Sequence, residues 1–147
     1  MLASRERRET SVALTSTLHW FETDVLTKER NYQGLARLNT ELVQRAATGS
    51  GRVTLDIDSS ESPVHGAQEQ SAYNGHFESV YYHPLFVFNP EGDCLAAKLR
   101  PGNVHSADGW DEVLLPIVDR YRAQGLTVVV RADAAFALPA LYEALER

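Results

Sequence analysis

Three aspartates could do chemistry in this sequence: Asp56 and Asp58 in VTLDIDSS (53–60), and Asp133 at the end of LTVVVRAD (126–133). In the first run Val53, Leu55 and Ile57 alternate with Thr54, Asp56 and Asp58. That is the period of two of a β-strand, so both carboxylates project from one face. Charges there are ordinary if the face is wet. They are costly if it is dry, unless a cation or a hydrogen-bond donor meets them. The second run is unbroken and apolar up to Arg131, the pattern of a strand buried on both faces inside an α/β sheet. Asp58 and Asp133 each close their strand. If the strands lie side by side and parallel, the two carboxylates meet at the C-terminal edge of the sheet, where ligands bind in open α/β sheets. Two carboxylates one strand spacing apart repel, and both stay ionised at neutral pH when a cation joins them. Taken by periodicity alone, a cap or turn role at a strand end is the commoner use of such residues.

The elements that must position these residues follow from the rest of the chain. Residues 12–47 have helical spacing. SVALTSTLHWFETDVL forms a first short helix with Trp20 and Phe21 as packing anchors, and Leu35, Leu38, Leu42 and Ala46 make an apolar stripe on a second. Thr48-Gly49-Ser50-Gly51 stops the helical region. After the VTLDID strand comes a long polar connection, then VYYHPLFVF (80–88) as one strand whose Pro84 requires an edge or bulge. Asn89-Pro90-Glu91-Gly92 is a turn, and 93–99 returns as a hairpin strand. Trp110, Val113, Leu114, Ile117, Val118 and Tyr121 recur at helical spacing up to Gly125. The strand 126–133 follows, and then a last helix with Pro139 in its first turn. The expected fold is therefore mixed α/β: a three-strand antiparallel meander, a helical crossover and a parallel fourth strand, all preceded by helices.

With 147 residues the chain suffices for one domain with a real core, and at 44% hydrophobic and 23% charged it has a globular profile. No apolar run approaches the ~20 residues of a membrane helix, and MLASRERRET lacks the apolar segment of a secretory signal. The single cysteine, Cys94, forms no intrachain disulfide and reads as a small buried strand residue; a cytoplasmic location is expected. The net charge of −6 argues against a bulk nucleic-acid-binding surface but leaves room for a local basic strip. Arg5, Arg7 and Arg8 form one small group, and Lys98 and Arg100 another. His65 and His83 match no compact zinc spacing and read as ordinary polar or packing residues. Tyr81, Tyr82, Phe86 and Phe88 read as core.

Four segments in this order and spacing, LDIDSSESPVHGAQ, YNGHFESVYYHPLFVF, AAKLRPGNVHSADG and VVVRADAAFALPALYEALE, resemble the DDE-type transposases of bacterial insertion sequences that carry the group 1 DDE domain. The resemblance runs from about Thr17 to Arg147. It implies an RNase H-like fold and a catalytic Asp, Asp, Glu set that binds two divalent ions, Mg²⁺ or Mn²⁺. By it, Asp58, followed by Ser59 and Ser60, is the first catalytic residue and metal ligand, and Asp133 is the second. Asp56 takes a supporting place beside them, with an ordinary strand role as its equal alternative. The implied partner is DNA, at element ends and at the target. Lys98 and Arg100 are candidate phosphate contacts, with ordinary surface charge as the close alternative. A sheet that stops after its fourth strand exposes an edge and a face, so a homodimer or aggregation is expected. The implied activity is hydrolysis of a DNA strand followed by transfer of its 3′-hydroxyl. His105, in RPGNVHS, is assigned no chemistry. The family's Glu lies on a helix well beyond the second Asp, and Glu143 and Glu146 are too near Asp133 to replace it. The expectation is a chain truncated after the second Asp, with a helical segment at 1–51 and a partial catalytic domain at 52–147. The rival expectations are a non-catalytic remnant that binds DNA or self-associates and an RNase H-like nuclease. The RPGN and ADAAFA segments speak against the nuclease.

Overall fold

The structure, a computed structural model, describes residues 14–46, 51–75 and 78–147. The Arg5, Arg7 and Arg8 group and Thr48, Gly49 and Ser50 of the expected helix stop lie outside these residues. The chain divides into two compact units, one up to Leu42 and one from Val43.

In the first unit, helix α1 (Thr15–Trp20) runs directly into a π-helical turn, Phe21–Leu26. Thr23 and Thr27 donate their hydroxyls to the carbonyls four residues back, His19 at 2.8 Å and Thr23 at 2.6 Å. Such back-bonding competes with the regular ladder and bends helices. Asn31 closes the junction by donating to the Val25 carbonyl at 2.8 Å. Helix α2 (Glu29–Ala46) carries the expected Leu35, Leu38, Leu42 stripe, and these side chains are exposed. Trp20 and Phe21, expected as packing anchors, are exposed as well.

The second unit is built on a four-stranded sheet of β1 (Arg52–Ser59), β5 (Leu85–Phe88), β6 (Cys94–Lys98) and β7 (Thr127–Arg131), in the order β6-β5-β1-β7. β1, β5 and β6 pair antiparallel, and β7 runs parallel to β1. This is the meander with a parallel fourth strand that the sequence predicts. The hairpin between β5 and β6 is closed by Asn89, which accepts from the Asp93 N–H at 2.7 Å and donates to the Asp93 carboxylate at 2.8 Å. Gly92 supplies the left-handed residue, at φ +88°.

Two expectations are corrected. The run 80–88 is not one strand: it breaks at His83-Pro84 into β4 (Ser79–Tyr82) and β5. Pro84 has no N–H for a ladder, and at this point the chain passes from one sheet to another. The polar connection is also not irregular throughout. It contributes β2 (Ser62–Pro63) and β3 (Ala72–Asn74), which flank β4 in a small antiparallel sheet of order β2-β4-β3.

Alternation along β1 sends Leu55 and Ile57 into the core, where they are essentially without exposure. Burial of each such side chain contributes about 1.5–3 kcal/mol. They join Leu85 and Val87 of β5, a row from helix α3 (Trp110–Ala123) including Leu114 and Val118, then Phe136 and Leu141. Helix α3 starts after Gly109 at φ +70° and ends before Gly125 at φ +76°. It tolerates Pro116 on its exposed side. A 3₁₀ turn (Ala134–Phe136) then leads into helix α4 (Pro139–Glu146), which begins on a proline. The other face of the sheet carries Asp56, Asp58, Phe86 and Phe88, all half-buried or exposed. Cys94, expected to be buried, is exposed. It lies on the edge strand β6, opposite Phe88.

Candidate functional site

β1 and β7 bring the sequence-predicted aspartates to one edge. Their parallel register pairs Leu55 with Val130 and Asp56 with Arg131. Two further residues along each chain lie Asp58, near the C-terminal end of β1, and Asp133, two residues past the end of β7. Both aspartates are exposed. One oxygen of each is held by the backbone. Asp58 Oδ1 accepts from the Ser59 N–H at 2.8 Å. Asp133 caps the 3₁₀ turn and accepts from the Ala135 N–H at 2.9 Å. A carboxylate fixed by one oxygen leaves the other free for a cation. Exposed, hard oxygen donors at a strand edge suit a divalent ion of the Mg²⁺ class, which keeps several waters and takes one or two carboxylates. Among the described residues no group of three or more His, Cys, Asp or Glu side chains is placed to hold a metal ion.

Asp56 is engaged differently. Arg131 reaches across from β7 and forks onto its carboxylate, Nε to Oδ1 at 2.5 Å and Nη2 to Oδ2 at 2.6 Å. The hydrogen bonds from Arg131, aided by its charge, hold the Asp56 carboxyl below its ordinary range. A bidentate pair of this kind occupies both oxygens. Sequence reasoning missed Arg131, although its position two residues before Asp133 placed it on the same face by strand period.

The two cations expected to meet phosphate have other partners. Lys98 pairs with Glu112 of α3 at 2.5 Å. Arg100, expected at the surface, is instead only 4% exposed. Its Nε donates to the His83 carbonyl at 2.7 Å, and its Nη1 faces the carbonyls of Asp108, Ser106 and His105 at 2.6, 2.9 and 3.2 Å. Burial lowers its pKa from the usual arginine value, partly opposed by the Asp108 charge. The guanidinium thus organises the loop 101–109 from inside. Nothing in its local sequence separates this role from a surface one.

His83, read as an ordinary residue, is buried and lies against the end of β1. Its Nε2 is 3.1 Å from Ser59 Oγ and its Nδ1 is 3.3 Å from the Val104 carbonyl. His105 sits in the loop that Arg100 holds. Its Nδ1 accepts from the Ala107 N–H at 3.2 Å, and its own N–H donates to Asp108 Oδ2 at 3.0 Å. His65 is exposed. Tyr81 is fully buried, whereas Phe86 and Phe88 lie half-buried with ring centroids 5.8 Å apart on the Asp58 face.

A family model described as "Transposase DDE domain group 1" matches residues 1–147, the whole chain. The chain belongs to that family. Its mixed sheet, with three antiparallel strands and a fourth parallel to the first, is the RNase H-like arrangement the family implies. Membership brings a transposition-related function, DNA as the general partner and a divalent metal as the general cofactor. Neither the curated proteins nor the solved structures contain a match. No helix among the described residues is long and apolar enough to cross a membrane.

Proposed function

We propose that Asp58 and Asp133 are two of the catalytic carboxylates of a DDE transposase domain that cuts DNA at element ends and transfers the 3′-hydroxyl to a target. The observation that carries this reading is the parallel register of β1 and β7, which runs to Asp56 and Arg131, two residues short of each aspartate, with an oxygen of each aspartate open to a ligand. Together they would hold Mg²⁺ or Mn²⁺, of which the complete family site would take two ions. When bound, such ions neutralise the phosphodiester, activate the attacking water or hydroxyl and stabilise the leaving oxygen. The protein's part is placement. The Ser59 and Ala135 N–H groups fix the two carboxylates before substrate arrives. The Arg131 fork ties Asp56 and so keeps a third negative charge on this face compensated. Asp56 supports the site through this fork, by holding β1 and β7 together. Lys98 serves as a phosphate contact when it releases Glu112.

A second reading has one observation in its favour. Among the described residues no third acidic or histidine ligand joins Asp58 and Asp133, as in a domain that binds DNA or its own copy without cutting. One experiment separates the two. The chain, Asp58→Ala and Asp133→Ala are each assayed for Mn²⁺-dependent nicking of a supercoiled plasmid that carries the element ends, and for binding to the same DNA. Nicking by the wild type that is lost in both variants is expected. Equal nicking by all three would refute the assignment of the aspartates. Binding without nicking by the wild type would establish the second reading.

A further inference from the structure

We propose that Ser59 and His83 are positioning residues for Asp58: the buried imidazole fixes the Ser59 hydroxyl, and the Ser59 N–H in turn fixes the carboxylate. The proposal rests on the reading of Asp58 as a metal ligand.

By strand alternation Ser59 points away from Asp58, to the same side as Ile57. There its Oγ meets His83 Nε2 at 3.1 Å. The Val104 carbonyl facing Nδ1 can only accept, so in the neutral ring Nδ1 carries the proton and Nε2 accepts from the Ser59 hydroxyl. The imidazole has little freedom of its own. The His83 N–H donates to the Arg100 carbonyl at 2.8 Å, and the His83 carbonyl accepts from Arg100 Nε at 2.7 Å. Tyr81 packs edge-on at a centroid distance of 5.8 Å. The next rung, from the Ser60 N–H to the Pro84 carbonyl at 3.1 Å, carries the pairing of β1 with β5 one residue past the named strand. The Ser59 peptide is therefore held on both sides, and its N–H points at Asp58 Oδ1 at 2.8 Å. Asp58 lies at a strand end on an exposed face, where a carboxylate would otherwise sample several rotamers. A buried imidazole costs desolvation that an apolar side chain of similar size would avoid. Its placement is accounted for by the orientation it transmits. Partners that orient a metal ligand without touching the metal contribute about 10- to 100-fold to affinity.

The test is Mn²⁺ binding by the 147-residue chain, followed through the EPR signal of the free ion, with thermal melts recorded without metal. Ser59→Ala is expected to weaken Mn²⁺ binding by about 10-fold or more with a melting temperature only a few degrees below wild type, because the His83 Nε2 acceptor is left unpaired. Ser59→Thr, which keeps the hydroxyl, is expected to recover most of the loss. His83→Gln, which keeps an acceptor in reach of Ser59, is expected to bind better than His83→Leu. Wild-type affinity in Ser59→Ala, alongside lost binding in Asp58→Ala, would overturn the positioning role and leave the metal assignment standing. Wild-type affinity in Asp58→Ala would overturn both. If His83→Leu fails to fold, the Ser59 pair still decides.

Discussion

Replacement of Arg100 by methionine tests whether this cation is a structural brace or a surface contact. Methionine keeps the length and apolar stem of the side chain but removes every donor. The structure gives the cost. Four carbonyls lose a charged donor: His83 at 2.7 Å, Asp108 at 2.6 Å, Ser106 at 2.9 Å and His105 at 3.2 Å. A hydrogen bond to a charged group contributes about 1.5–3 kcal/mol, and a buried acceptor left unpaired costs about 1–3 kcal/mol. The terms do not simply add. The loop carbonyls are only partly buried, so water replaces some of the lost bonds, and methionine escapes the desolvation that lowers the guanidinium pKa. The net loss expected is about 3–5 kcal/mol, well under the gross value of four hydrogen bonds to a charged group. That is a large part of the roughly 5–15 kcal/mol available to a domain. Urea unfolding followed by circular dichroism measures it, and with a slope of about 1–3 kcal/mol per molar the midpoint falls by about 1–5 M. Lys98→Met is the control: its ion pair with Glu112 is about one-third exposed on the lysine side, and its loss is expected to stay within about 1 kcal/mol. Equal midpoints for the two variants would refute the brace. A fall in DNA affinity at unchanged stability would return Arg100 to the phosphate role that its sequence position suggested.

Two further outcomes follow from the same geometry. Asp56, with its folded pKa held below 3.8 by Arg131, stabilises the fold above its unfolded value and loses that contribution as pH falls through the lower folded value. Wild type should therefore melt above Asp56→Asn near neutral pH, with the gap closing below about pH 4; a gap that persists in acid would contradict the fork. A Cβ added at Gly102 would lie 2.7 Å from the Ala72 carbonyl oxygen and closer still to that of Tyr81. Gly102→Ala should thus cost about 1–3 kcal/mol in urea unfolding. Gly34→Ala, in a helix with open space around it, should gain about 0.5–1 kcal/mol; loss in both would show that the close approach is not the cause.

Much of this protein is legible in its sequence, because side-chain period is a local property of the backbone. Alternation in VTLDIDSS put Asp56 and Asp58 on one face and Leu55 and Ile57 on the other, and the burial of β1 follows it from Leu55 onward. The VVVR run and the helical spacing before it marked β7, α3 and the parallel crossover, but the burial on both faces that the run suggested is not found: β7 lies at the sheet edge and Val128, Val129 and Val130 are half-buried. Pro84, expected at an edge or bulge, is the switch between two sheets, since a missing N–H says that a ladder ends but not which strand takes up the next one. The fates of the polar residues were decided only by tertiary structure. Asp56 and Arg131 are 75 residues apart in sequence, and their fork exists because two strands lie side by side. Arg100 could face solvent or core from its local pattern, and four carbonyls gathered from β4's end and the loop 101–109 turned it inward. His83 reads as a plain polar residue until Ser59 and Val104, 24 and 21 residues away, close on its two nitrogens. Periodicity determines which face a side chain takes; only the packed chain determines what waits for it there.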